Sequence, residues 1–167
     1  RNFNGSVEAK RYIIESTGSG VAILDYDRDG WPDIFLVNGT TLPGEIDGKD
    51  AKPTNHLFHN NHDGTFTNVA QSAHCDIQGY VKGVTSADFN NDGWPDIFVS
   101  AMDGNKYLLK NKGKGGKDVD FENVAAEAGI ADNDESTFTT WFYDYNNDGW
   151  PDILVSDYQS KGISLGY

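Results

Sequence analysis

Apolar and polar positions along this chain fall into short runs of about four or five residues, interrupted by clusters of Asp, Asn, Gly and Pro. The runs 20–24, 34–37, 56–59 and 65–69 have the length and the turn-rich borders of strands, and none extends far enough to build an amphipathic helix. The same order then recurs. Residues 20–34, 83–97 and 139–153 align without gaps, each ending in Asp-Gly-Trp-Pro-Asp-Ile, and their first aspartates, Asp25, Asp88 and Asp144, lie 63 and 56 residues apart. A second element repeats between them, because Asn55–Asn61 aligns with Asn105–Asn111 and Gly64–Ala70 with Phe121–Ala125.

Each full unit therefore holds four strand-like runs, which is the content of a propeller blade. The expected fold is all-β: blades of four antiparallel strands, with about two and a half blades present in a partial propeller. The boundaries read as an N-terminal lead-in or outer strand over 1–17, blade 1 over 18–79, blade 2 over 80–131 and an incomplete blade 3 over 132–167. A propeller usually closes with about 4 to 8 blades, so the chain reads as a piece of a longer propeller or as one that pairs its open edges with other copies.

Composition sharpens this. Nine Phe, eight Tyr, four Trp and nineteen Gly suit short strands and tight turns. A formal charge of −13 repels nucleic acid and anionic membranes. No stretch reaches the roughly 18 apolar residues of a membrane span. Neither nucleic-acid binding nor membrane insertion is expected. The single cysteine, Cys75, allows no internal disulfide and reads as a packed thiol, although His74 stands beside it.

The acidity has a location. Counted from Asp25, side-chain oxygens occupy loop positions 1, 3, 5 and 9 as Asp25, Asp27, Asp29 and Asp33, with glycine at position 6. Alternate residues of a tightly turning loop point inward, and the Trp31 carbonyl at position 7 can complete an oxygen shell. The second loop offers Asp88, Asn90, Asp92, Asp96 and the Trp94 carbonyl; the third offers Asp144, Asn146, Asp148, Asp152 and the Trp150 carbonyl. Neutralising the ten loop aspartates would leave −3 of the −13.

An all-oxygen shell with irregular geometry selects Ca2+ over Mg2+, and the loops lack the nitrogen and sulfur donors zinc favours. Three Ca2+ sites are expected. An EF-hand is excluded, because position 12 is Leu36, Val99 and Val155 where a glutamate is needed. With four carboxylates against three, the first loop is expected to hold calcium most tightly. Proline at position 8 pushes the preceding tryptophan toward extended backbone, and the indoles are expected to pack on a neighbouring blade.

These loops, with Leu57–Asn60, Gly64–Ala70 and Phe121–Gly129, resemble the FG-GAP/VCBS repeat family, in its cartilage-acidic-protein-like branch often joined to ASPIC/UnbV domains. The resemblance covers about 18–160. It implies a propeller, often seven-bladed, with calcium in each such loop, secreted and found outside the cell, on its surface or in a periplasm. The Gly-Ala-Pro that follows the second strand in integrin-type repeats is absent; 37–39, 100–102 and 156–158 read Val-Asn-Gly, Ser-Ala-Met and Ser-Asp-Tyr. Integrin-like ligand binding is therefore not implied.

Other features read as structural. His56, His59 and His62, on a strand running into a turn, do not all face one way and so form no shared metal cluster. Lys106, Lys110, Lys112, Lys114 and Lys117 read as one solvated glycine-rich hairpin. The acidic run 132–135 lacks a loop glycine and a ninth-position partner. The Asn4 and Asn38 triplets match the glycosylation pattern, which by itself carries little weight.

Every strongly patterned residue is thus absorbed by folding or metal binding. That favours a non-catalytic segment serving adhesion, recognition or scaffolding, with an extracellular protein or glycan as ligand. Two alternatives stay open: part of a propeller-based carbohydrate-active enzyme, and a self-assembling fibre or surface-layer subunit.

Overall fold

The computed structural model describes residues 17–39, 53–114, 118–131 and 136–157. Residues 1–16 of the lead-in, the Asn4 triplet, Lys117 and the acidic run 132–135 lie outside the described residues. The fold is all-β, with no α-helix among the described residues. Ten strands follow one another: β1 (Val21–Leu24), β2 (Asp33–Leu36), β3 (His56–Asn60), β4 (Phe66–Asn68), β5 (Val81–Ala87), β6 (Asp96–Ala101), β7 (Lys106–Asn111), β8 (Phe121–Asn123), β9 (Thr137–Tyr143) and β10 (Asp152–Asp157).

They pair in chain order into two antiparallel sheets of four, β1-β2-β3-β4 and β5-β6-β7-β8, and a pair β9-β10. These are the two and a half blades expected. Strand limits match the sequence expectation to within a residue or two, with one systematic difference. The ninth-position aspartates, Asp33, Asp96 and Asp152, are the first residues of β2, β6 and β10 rather than the last residues of the loops.

First strands pack against first strands, β1 beside β5 and β5 beside β9. The Gly20 N–H donates to the Lys82 carbonyl at 3.0 Å. A Cβ on Gly20 would lie 2.9 Å from that carbonyl oxygen, so only glycine lets the two blades approach this closely.

The middle blade is covered on both faces. Along β6, Ile97, Val99 and Ala101 join a core with Leu24, Phe35 and Leu57 of the first blade, while Phe98 joins Leu108 against Phe142 and Ile153 of the third. This period of two, apolar on both sides, is the pattern of a strand buried between layers. Each fully buried Phe contributes about 1.5–3 kcal/mol. The outer blades each keep one open face: Val21 and Ile23 on β1, and Trp141, Tyr143 and Leu154 on β9 and β10, are exposed.

The repeat alignment of the third strands needs correction. Phe58 stands opposite Ile34 in the first sheet and Leu109 opposite Ile97 in the second. Asn60, not Asn61, is therefore the equivalent of Asn111, and His59 that of Lys110. The sequence alignment is one residue off because both strands begin and end near asparagines, and a one-residue slip moves every side chain to the other face.

The lysine hairpin also differs from expectation. Lys112 pairs with Asp120 at 3.3 Å and Glu122 at 3.6 Å, and Lys114 with Asp120 at 3.8 Å, but Lys106 is buried in β7. Asn38 is buried too, its amide donating to the Thr54 carbonyl, which takes that asparagine off the surface. Cys75 is fully buried in the core, and desolvation by burial pushes its thiol up to about 12. His74 turns instead to Asp120 at 2.9 Å, so no nucleophile is assembled.

Candidate metal centre

All three loops share one backbone design. The position-1 carboxylate accepts two N–H groups from positions 5 and 6: Asp29 and Gly30 on Asp25, Asp92 and Gly93 on Asp88, Asp148 and Gly149 on Asp144, at 2.8–3.1 Å. The position-5 carboxylate accepts the position-7 N–H of Trp31, Trp94 and Trp150. Position 9 reaches back to position 2, with Asp33, Asp96 and Asp152 accepting from Tyr26, Phe89 and Tyr145. Aspartates at these spacings therefore first serve as turn caps.

Such a turn needs left-handed backbone twice. Glycine supplies it at position 6, with φ 87–90° at Gly30, Gly93 and Gly149. At position 4 it is carried by Asn91 (52°), Asn147 (58°) and, unusually, Arg28 (59°).

The third strand of each complete blade fastens the ninth aspartate. The N–H groups of Asn60 and Asn111 each donate 2.8 Å to Asp33 Oδ1 and Asp96 Oδ1, and their side-chain amides donate to the Pro32 and Pro95 carbonyls. Sequence reasoning missed this asparagine pair, which a repeat alignment shifted by one residue would have found.

The loops also touch each other in sequence. The Arg28 guanidinium lies 5.4 Å from the Trp94 ring, and the Asn91 amide donates to the Gly149 carbonyl at 3.1 Å. Position 4 of one loop thus meets positions 6 and 7 of the next. Asn111 adds a 2.8 Å bond to the Tyr26 carbonyl of the first loop. The indoles differ from expectation here: Trp94 meets the preceding blade through Arg28, whereas Trp31 stacks on His62 of its own blade at 5.0 Å and stays half exposed.

Side chains then separate the first loop from the others. In the second and third loops the position-3 amide donates to position 5, Asn90 to Asp92 and Asn146 to Asp148, each at 2.9 Å. Asp27 cannot donate. Its side chain is 1% exposed, and Oδ1 has no hydrogen-bond partner. Oxygens of Asp25, Asp27 and Asp29 converge within 4.8 Å of one another, and Asp27 and Asp33 converge in the same way with His59. A buried carboxylate oxygen without a donor, among further carboxylates, is a cation's environment, and the set fits calcium.

Electrostatics agree. Desolvation, then the Asp29 charge, raises the Asp27 carboxyl above its ordinary range. Burial pushes Asp33 up to about 6 against the opposing Asn60 N–H, and Asp96 up to about 6 against that of Asn111. Charge on these carboxylates is held back by lack of solvent, and a divalent cation would remove that penalty.

The three histidines do not form a shared cluster, as expected, since His56 turns toward Asn68 and Phe58. His59 and His62 nevertheless reach the first loop. His59 Nδ1 lies 3.5 Å from both Asp27 Oδ2 and Asp33 Oδ1, and His62 Nε2 lies 2.6 Å from Asp29 Oδ2.

Comparison with known proteins agrees with this arrangement. The FG-GAP-like repeat matches residues 25–99 and again 88–155, each span covering two loops and the strands between them. Cartilage acidic protein 1 of Xenopus tropicalis is 32% identical over 111 residues, 66% of this chain and 15% of the relative. Cartilage acidic protein 1 of Homo sapiens is 37% identical over 111 residues, 66% of this chain and 16% of the relative. The matched part of the chain thus spans about a sixth of the length of these relatives. Repeated loops, four-stranded sheets and sequence match converge on one assignment: this chain belongs to the FG-GAP-like repeat family.

Proposed function

We propose that this chain is a calcium-stabilised β-propeller segment that works outside the cell in adhesion, recognition or scaffolding, without catalysis. The buried Asp27 Oδ1 without a partner carries the reading, because a carboxylate is tolerated there only if something positive meets it. Asp25, Asp27, Asp29 and Asp33 would hold one ion, Asp88, Asn90, Asp92 and Asp96 a second, and Asp144, Asn146, Asp148 and Asp152 a third, with the Trp31, Trp94 and Trp150 carbonyls completing the shells. Calcium supplies charge neutralisation; the protein's own part is to hold the oxygens in place through the turn and Asn60 or Asn111.

The extracellular setting is supported by the need of such loops for abundant calcium and by the match to cartilage acidic protein 1. The open faces of β1 and β9-β10 call for further blades or other copies of the chain as neighbours, with a protein or glycan as the external ligand. Thermal melting in chelator and after calcium is restored tests the reading. A large reversible rise with calcium is expected, and an unchanged Tm overturns it.

A further inference from the structure

His59 gives the first loop a chemistry the second lacks. At the equivalent position the second blade carries Lys110, a cation that cannot ligate one. In the first blade the imidazole Nδ1 faces two carboxylate oxygens, at 3.5 Å from each, yet makes no hydrogen bond. Donors gathered tetrahedrally about an ion at roughly 2.1 Å stand about 3.4 Å apart, close to these two separations. Both carboxylates are almost fully buried, with side chains 1% exposed, and Asp27 Oδ1 is left without a partner. Asp33 is already aimed by Asn60 and Tyr26, whose N–H groups hold its two oxygens. The donors thus sit on three separate elements: the loop, the start of β2 and β3.

We propose that Asp27, Asp33 and His59 form a mixed nitrogen and oxygen site selective for a first-row divalent transition ion, with Zn2+ as its probe, distinct in preference from the all-oxygen second and third loops. The inference rests on the first loop being a cation site, and it changes which cation that loop takes. Imidazole raises affinity along the series from Mn2+ to Cu2+ and Zn2+ and adds little for Ca2+, so where both ions are present the transition ion displaces calcium from Asp27 and Asp33, while calcium keeps the oxygen-only loops.

The competing explanation is that a protonated His59 simply pairs with the two carboxylates, with no ion involved. The full 167-residue chain is dialysed with Zn2+ in millimolar calcium, and bound metal is counted for wild type, His59→Gln and His62→Gln. Wild type and H62Q should retain one Zn2+ per chain. H59Q should lose affinity by about 100-fold or more, beyond the cost of losing an outer-shell partner. Co2+ substitution in wild type should give visible d–d bands, and the His59 ring 15N resonances should shift on Zn2+ addition, readouts that do not depend on a variant folding.

Retention abolished by H62Q but not H59Q would mean that the exposed His62 and Asp29 capture the ion, and overturns the proposal. So does absence of Zn2+ retention by wild type. If calcium still raises Tm in that case, the calcium reading survives alone; if neither ion changes Tm, both fall.

Discussion

The first and second loops have the same turn, the same hydrogen bonds at positions 1, 5 and 9, and the same asparagine from the third strand, yet they are not the same site. The second is internally satisfied, its Asn90 amide closing onto Asp92. The first replaces that amide with a fourth carboxylate, buries it, and sets His59 against it and His62 against the neighbouring Asp29. Below them the difference continues. A Cβ at Gly113 would lie 2.7 Å from Trp94 Nε1, so glycine lets that indole settle against the turn, whereas the matching His62 props Trp31 outward in a stack. A shared backbone therefore fixes the loop, and a few side chains decide how much it depends on an ion.

Metal removal should produce the largest effect on this contrast. Calcium at about a hundred times its Kd adds about 2.7 kcal/mol per occupied loop, so chelation should lower Tm sharply. In buffer free of transition ions, titration should fill the first loop before the second, and Asp27→Asn should erase that order. Filling of either asparagine-containing loop first would break the comparison.

Next come the ninth aspartates. In chelator, Asp96→Ala strands the N–H groups of Phe89 and Asn111 and should cost about 2–3 kcal/mol. Asp33→Ala should match it, since the first blade repeats both contacts. Urea unfolding giving a much smaller loss for either would show that the two loops are not built on a common support.

A smaller signature lies in pH. Asp33 and Asp96 are raised from 3.8 to about 6. The native metal-free chain therefore binds protons more tightly than the unfolded one, and the contribution of each carboxyl to stability falls as pH rises from about 4 to 6. The stability difference between wild type and Asp96→Asn in chelator should follow that slope. In calcium the slope should reverse, because protons compete with the ion.

The smallest effects concern the joints between loops. Arg28→Ala keeps the left-handed strain and removes only the contact with Trp94, costing about 0.5–1 kcal/mol. Asn91→Ala loses the bond to Gly149 and puts alanine where asparagine is tolerated, costing about 1–2 kcal/mol. Equal losses would mean that the two joints are equivalent after all.

How far the sequence foretold all this depends on the scale. Repeated Asp-Gly-Trp-Pro-Asp strings located the loops and the strands beside them because turn chemistry is local. The third strands were paired one residue off because nothing local distinguishes Asn60 from Asn61; only the Asp33 contact, 27 residues away, does. The same slip hid His59 by aligning it with the buried Leu109. The packing of Trp31 was equally beyond reach, since it depends on a histidine brought back by a hairpin.

The joints between loops have one further consequence. Each runs from position 4 of one loop to position 6 or 7 of the next, so it is directional, joining unlike surfaces in a head-to-tail manner. Among the described residues Asn147 holds the forward half of this joint and Gly30 the rear half, with no next loop to meet. Any further copy of the unit would bring both halves with it, so duplication alone can lengthen the row, and the number of copies is set by the angle at which the last forward half meets the first rear one.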